Sequence, residues 1–327
     1  MVAQPVIDIG PLVGGDGPAQ AVAEEIDRAC RSTGFFYVVG HGVDRADTER
    51  LERAARSLFA LPEAVKEAMA MRHAGAAWRG WFPLHGELTS GSPDDKEGWY
   101  FGAELGPDDP RVRRGVPLHG ANLFPAEVPE LRDAVLGHLA SMTALGQALL
   151  GGMALALGLQ RTWFVEHLTA DPLVLFRIFR YPPRPAATDG WGVAEHTDYG
   201  LLTLLLQDDS GGLEVRTPTG WVAAPPVPDS FVCNLGDMLE RLTGGRYRST
   251  PHRVRNTGGH DRLSFPFFLD PGWDTDVVPL PLDVTGPAGP RVARWDGSDP
   301  ASITGTYGDY LTSRLGKVFP GLAGELG

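Results

Sequence analysis

Apolar residues recur along this chain at two spacings, and the spacing changes near residue 170. After a short PVIDIG strand, Val22, Ile26 and Ala29 follow at helical intervals in a segment rich in Ala, Glu and Arg. That spacing predicts an amphipathic helix, ended by Gly34. Phe35 to Val39 is aromatic and β-branched and reads as a strand. Asp44 to Leu61 predicts a second helix, closed by Pro62. His73 to Leu105, with Trp78, Trp81, Trp99, Tyr100 and Phe101, reads as an aromatic loop region. Leu131, Val135, Leu139, Met142, Leu145 and Leu149 mark one face of a long helix, with Pro129 suited to its first turn. From Leu173 onward the runs shorten. LVLFRIF, LLTLLLQ, LEVRT, WVAAPP, FVCNL, HRVRN and RLSFPFF are separated by clusters such as DDSGG, TPTG and TGG, the rhythm of an antiparallel sandwich or barrel. A last helix is expected from Tyr307 to Leu315.

Composition narrows the class without naming a chemistry. The chain has 327 residues, 43% of them apolar, enough for a sizeable core. Its net charge of −12 argues against a protein that grips nucleic-acid phosphates broadly. Cys30 and Cys233 are too few for a disulfide framework or a thiolate zinc site, and both lie in apolar stretches that suit core residues. The N-terminus lacks the basic region of a signal peptide, and no apolar run approaches the roughly 18 residues of a membrane span. A cytoplasmic protein without membrane contact is therefore expected.

Candidate chemistry enters at one string, Trp191-Gly-Val-Ala-Glu-His196-Thr-Asp198-Tyr-Gly200, which runs directly into LLTLLLQ. Residues i and i+2 of an extended strand project from the same face, so His196 and Asp198 can reach one ion. His252, 56 residues downstream, opens another strand and supplies a third ligand. Two imidazoles and one carboxylate on one face of an octahedron leave the remaining positions open, as in non-haem Fe(II) oxygenases. A second match to the same spacing, His85-Gly-Glu87, lies in a Pro/Gly loop with no strand to aim its side chains together. Ten residues beyond His252, Arg262 and Ser264 form another i, i+2 pair. An arginine fork with a neighbouring hydroxyl suits a carboxylate, such as the far end of a dicarboxylate whose near end chelates a metal.

These motifs resemble the isopenicillin N synthase-like branch of the 2-oxoglutarate/Fe(II) dioxygenases. The resemblance covers nearly the whole chain: PVIDIG and GFFYVVGHGV at the start, then His196 to Gln207, Gly220 to Pro228, Asn234 to Val254, and Arg262-Leu-Ser264. It implies an α+β fold with a double-stranded β-helix (distorted jelly roll) core and flanking N- and C-terminal helices. One dioxygenase domain would span residues 1–327, with a helix/strand region at 1–125 and the core carrying the iron site at 170–285. By the same resemblance, His196, Asp198 and His252 would hold Fe(II). Arg262 and Ser264 would bind the distal carboxylate of 2-oxoglutarate, with Tyr181 near the cosubstrate. O2 would be the second cosubstrate, with succinate and CO2 released as a C–H bond is oxidised.

Arg177 aligns with a family position whose side chain can face the pocket, with a core-strand role as its equal alternative. Phe268 is expected in the substrate pocket, as are Trp99 and Phe101 in the segment Asp94 to Gly102, where a plain surface loop is the competing reading. Asn234 and the Gly236-Asp237 pair read as structural capping, and His41 as a structural histidine. The expected partner is a small molecule: an amino acid, peptide or secondary metabolite. Hydroxylation leads the expected outcomes, with desaturation or ring closure beside it. Relatives on the same scaffold that oxidise or cyclise without 2-oxoglutarate, and an ethylene-forming type, are the nearer alternatives; a non-oxidative metal-binding jelly roll is the remote one.

Overall fold

In the computed structural model, residues 4–318 are described apart from 15–16, 90, 184–189, 257, 283–293 and 295. Residues 283–285, the end of the expected core, lie outside the described residues. The elements run β1 (Val6–Asp8), α1 (Gly10–Val13), α2 (Ala19–Ser32), β2 (Phe35–Val39), α3 (Arg45–Phe59), α4 (Glu63–Ala68), β3 (Gly80–Phe82), β4 (Glu97–Gly102), α5 (Pro110–Arg113) and α6 (Leu131–Ala156). Then come α7 (Trp163–His167), β5 (Leu173–Tyr181), β6 (Val193–His196), β7 (Leu202–Gln207), β8 (Leu213–Thr217), β9 (Gly220–Ala223), β10 (Phe231–Leu235), α8 (Asp237–Leu242), β11 (His252–Val254), β12 (Arg262–Asp270) and α9 (Tyr307–Val318).

The helices form where the apolar spacing places them. α2 buries Val22, Ile26, Ala29 and Cys30 along one side, and Gly34 follows it at φ +64°, a backbone angle that glycine takes without strain. α3 starts on Asp44, whose carboxylate accepts from the Ala46 backbone N–H at 2.9 Å, the cap its sequence position calls for. α6 is long and apolar enough to cross a membrane, and in this fold it is the central core helix, packed against α2, α3 and the strands β5, β7 and β12.

Two sheets build the core. The larger has the order β1-β2-β10-β7-β12-β5-β4-β3, antiparallel except for the β1–β2 pair; the smaller has the order β6-β11-β8-β9. This is the α+β jelly-roll arrangement expected from the sequence, with both flanking helical regions in place. One expectation needs correction. The stretch from His73 to Leu105 is not a loop: β3 and β4 lie in it and extend the large sheet past β5. Its aromatic residues are buried because alternate side chains of β4 enter opposite sides of that sheet. Both cysteines are fully buried and unpaired.

Candidate active site

β6 ends at His196, and β11 starts at His252 directly opposite it, with the two imidazole rings 4.1 Å apart. Asp198 follows two residues after His196, and its Oδ1 stands 3.9 Å from the Nε2 atom of each histidine. All three ligand atoms lie within 4.8 Å of one another, and no other His/Cys/Asp/Glu cluster with this geometry occurs among the described residues. Bonds of about 2.1 Å to one ion would set neighbouring ligand atoms about 3 Å apart, within reach of small side-chain rotations.

The surroundings fix which atoms are free for a metal. His196 Nδ1 lies 2.8 Å from the Ala194 carbonyl and His252 Nδ1 lies 3.2 Å from the Thr250 carbonyl. Donation through Nδ1–H leaves each Nε2 lone pair facing the third ligand. Burial and the neighbouring His252 hold His196 well below its ordinary pKa, which favours the neutral, metal-binding form. Burial alone would raise the Asp198 carboxyl, but the facing histidines and two hydrogen bonds outweigh it and hold it below the usual carboxylate range. Those hydrogen bonds come from the Thr203 hydroxyl and the Asn234 amide, each 2.6 Å from Oδ2, and leave Oδ1 open.

At one end of the same cavity, Arg262 of β12 is fully buried. Its Nε donates to the Gly211 carbonyl at 2.5 Å and its plane lies 4.8 Å over the Tyr181 ring, while Nη1 has no hydrogen-bond partner. No described carboxylate pairs with it. Ser264 projects from the same face, and its hydroxyl lies 3.3 Å from that of Tyr181. A buried guanidinium with an unmet donor, beside two hydroxyls and a metal cluster, fits a chelating dicarboxylate.

The other expected site residues separate. Arg177 and Phe268 line the cavity, the guanidinium 4.9 Å over the Phe268 ring and 4.3 Å over that of Tyr100. Trp99 and Phe101 do not. They project from the opposite face of β4, fully buried, where Phe101 stacks on Phe124 and Phe176. Strand alternation is the reason: Tyr100 takes the cavity side, so its two neighbours cannot. His41 is structural as expected, its Nε2 3.2 Å from the Asp229 carbonyl.

The structure also adds residues. Asn234, expected as a cap, holds an iron-ligand candidate, as does Thr203. Lys96 is buried between Glu87 and Asp94, 2.8 Å from each, and both carboxylates hold it above its ordinary pKa against the pull of burial. Glu87 accepts from the Tyr100 hydroxyl at 2.7 Å and lies 3.6 Å from Arg177. Asp270 closes the inward series Arg262, Ser264, Pro266, Phe268, Asp270 along β12. Burial pushes its carboxyl up to about 7, although Tyr307 donates to it at 2.6 Å. Extending the Arg262/Ser264 alternation to the strand's end would have exposed Asp270 in the sequence; Lys96 and Glu87 leave no such periodic signal. Leu311, Leu315 and Val318 of α9 form the apolar wall across the cavity, which holds about 1000 Å³ of atom-free space including its mouth.

Comparison with known proteins agrees with this geometry. Residues 171–271 match the 2OG-Fe(II) oxygenase superfamily, and residues 4–127 match the N-terminal region described for the non-haem dioxygenase in morphine synthesis. A probable iron/ascorbate oxidoreductase of Dictyostelium discoideum is 43% identical, over 97% of this chain and 95% of that protein. A 1-aminocyclopropane-1-carboxylate oxidase of Dictyostelium mucoroides is 33% identical, over 97% and 95%. Among solved structures, a putative 2OG-Fe(II) oxygenase family protein from Caulobacter crescentus superposes with a TM-score of 0.80 at 30% identity, covering 96% of this chain and 99% of that one.

Proposed function

The chain belongs to the 2OG-Fe(II) oxygenase superfamily, and from that premise we propose that it oxidises a C–H bond of a small molecule, with iron held by His196, Asp198 and His252 and with 2-oxoglutarate anchored by Arg262 and Ser264. One observation carries the assignment of residues: a buried arginine with an unmet donor and no carboxylate partner among the described residues opens on the same cavity as the three-ligand cluster.

Iron and 2-oxoglutarate supply the oxidising chemistry, in which O2 is reduced while the cosubstrate loses CO2 and becomes succinate. The chain's own residues set the geometry. Thr203 and Asn234 hold the Asp198 carboxylate by its outer oxygen, and the Ala194 and Thr250 carbonyls fix the tautomers of the two histidines. Arg262, with the Tyr181 ring packed against its guanidinium, and the Ser264 hydroxyl would donate to the distal carboxylate of the cosubstrate. The apolar wall of α9 excludes water from the substrate side. Hydroxylation is the outcome we favour. A small-molecule substrate is supported by the name of the 1-aminocyclopropane-1-carboxylate oxidase relative. We also place the enzyme in the cytoplasm, which its two unpaired buried thiols support.

Anaerobic addition of Fe(II) and 2-oxoglutarate should produce the visible charge-transfer band of the chelate, and Arg262→Ala should weaken it. Stoichiometric iron without a band would sink the 2-oxoglutarate reading.

A further inference from the structure

We infer that the substrate is a small molecule without net negative charge that presents one carbonyl or carboxylate oxygen to Arg177 and one N–H group to Asp270, an inference that rests on the active-site reading above. Two buried side-chain atoms of residues that line the cavity lack hydrogen-bond partners, Arg177 Nε and Asp270 Oδ1. Buried polar atoms in native proteins are nearly always satisfied, so such a pair asks for a missing partner. One is a donor and the other an acceptor, and a ligand that completes both must carry the opposite groups.

Both residues are held from behind. The Asp270 Oδ2 atom accepts from the Tyr307 hydroxyl at 2.6 Å, and Oδ1 lies against Gly200, where a Cβ would come within 1.5 Å of it. Only glycine at position 200 leaves this oxygen room in the cavity wall. The Arg177 guanidinium is fixed between the Tyr100 and Phe268 rings, with Glu87 3.6 Å from Nη1. Ser264 pairs with Phe179 and Phe267 with Phe176, a register that sets Arg177 level with Pro266. Asp270 lies four residues further along β12, roughly 13 Å of strand, part of which the extended arginine side chain covers. The remaining gap suits a small molecule resting on Phe268, with Leu175, Leu311 and Leu315 for its apolar part.

Charge sets the last condition. The cavity's roof already balances two carboxylates, Glu87 and Asp94, against two cations, Lys96 and Arg177. Asp270 adds a third carboxylate with no described salt-bridge partner, so a net-negative ligand would add uncompensated charge to a buried site, which is costly. Amides, lactams and amino-acid zwitterions share the required chemistry: an oxygen acceptor, an N–H donor and no net negative charge.

Four six-membered rings separate the possibilities: 2-piperidone (lactam), L-pipecolate (zwitterion), cyclohexanecarboxylate (anion) and piperidine (cation). Each is titrated by calorimetry into the full chain loaded anaerobically with Fe(II) and 2-oxoglutarate. We expect 2-piperidone or L-pipecolate to bind at least about tenfold more tightly than both charged rings, and the tighter of the two identifies the source of the shared chemistry. Arg177→Lys and Asp270→Asn should each weaken that binding by about tenfold or more, the scale of a lost hydrogen bond to a charged group. Either orientation of the Asn amide weakens the bond: accepting from Tyr307 turns an N–H donor toward the ligand's own, and donating to Tyr307 leaves only a neutral carbonyl in place of the carboxylate. Thermal melting and the chelate band of both variants, unchanged from the parent, establish that they remain folded and loaded. Equal or tighter binding of a charged ring, binding indifferent to both variants, or no binding of any ring while the chelate band is present would overturn the inference alone. A missing band in the parent defeats the active-site reading, and this inference with it.

Discussion

The two faces of β5 and β12 are built from alternate residues of the same strands and do opposite work. Behind them, Val174, Phe176 and Ile178 of β5 and Phe265, Phe267 and Leu269 of β12 pack against α6 and its neighbours in an apolar core. In front, Arg177, Tyr181, Arg262, Ser264 and Asp270 turn a nearly equally buried surface into one filled with polar groups. A single-residue shift in register would exchange the two. The lesson is that burial alone does not separate core from site. Along these two strands the buried side-chain atoms left without a hydrogen-bond partner (Arg262 Nη1, Arg177 Nε and Asp270 Oδ1) lie in front.

The comparison breaks most sharply at Arg262. Arg262→Met keeps much of the side-chain volume and removes a buried charge that no described carboxylate neutralises. It should cost roughly a hundredfold or more in 2-oxoglutarate affinity, as expected for a lost bidentate charge pair, while the ligand-free protein melts no lower than the parent. A calorimetric titration and a melting curve check the two halves. Phe267→Ala, five residues along and on the back face, should do the reverse. It should lower stability by about 3–5 kcal/mol, read by urea unfolding, with 2-oxoglutarate affinity of the folded fraction preserved. Loss of affinity there as well would mean that the two faces are not separable.

Smaller effects sharpen the contrast. Asn234→Ala removes one of two donors to the outer oxygen of Asp198 and should weaken iron binding by about 10–100-fold in a competition titration, with the chain still folded. On the back face, His138 is buried in α6 beside Phe176, and burial pushes its pKa down to about 3. The unfolded chain, with a histidine near 6.5, binds more protons between those values. Stability present above about pH 6.5 is therefore lost as pH falls through that window, by about 2 kcal/mol at pH 5. His138→Leu should remove this part of the acid sensitivity, shifting the acid unfolding midpoint downward; an unchanged midpoint would contradict it.

Much of this was legible in the sequence because the signals were local. The H-x-D spacing on one strand and the R-x-S spacing on another survive without any knowledge of pairing, and the apolar stripe from Leu131 to Leu149 marks a long helix, though not its place at the centre of the core. What failed was one level higher. Trp99 and Phe101 sit either side of Tyr100, and nothing in WYF says which parity faces the cavity until β4 pairs with β5. From sequence Asn234 reads as a cap, because its partner, Asp198, is 36 residues away and meets it only when β10 lies beside β7. Lys96 and Glu87 come from a stretch that looked like loop, and their roles depend on a fold around them that no spacing encodes.

The direct opposition of His196 and His252 across β6 and β11 has one more consequence. These strands are short, four and three residues, and their register is irregular beyond the histidine pair. An ion bound by both histidines would act as a staple across a weak seam, closing a chain segment of 56 residues between its ends. Occupancy would then be written into the lifetime of the fold as well as its chemistry. Amide exchange and protease nicking around the smaller sheet should slow when the staple is set, so a cell short of iron would hold this enzyme as a shorter-lived protein as well as an idle one.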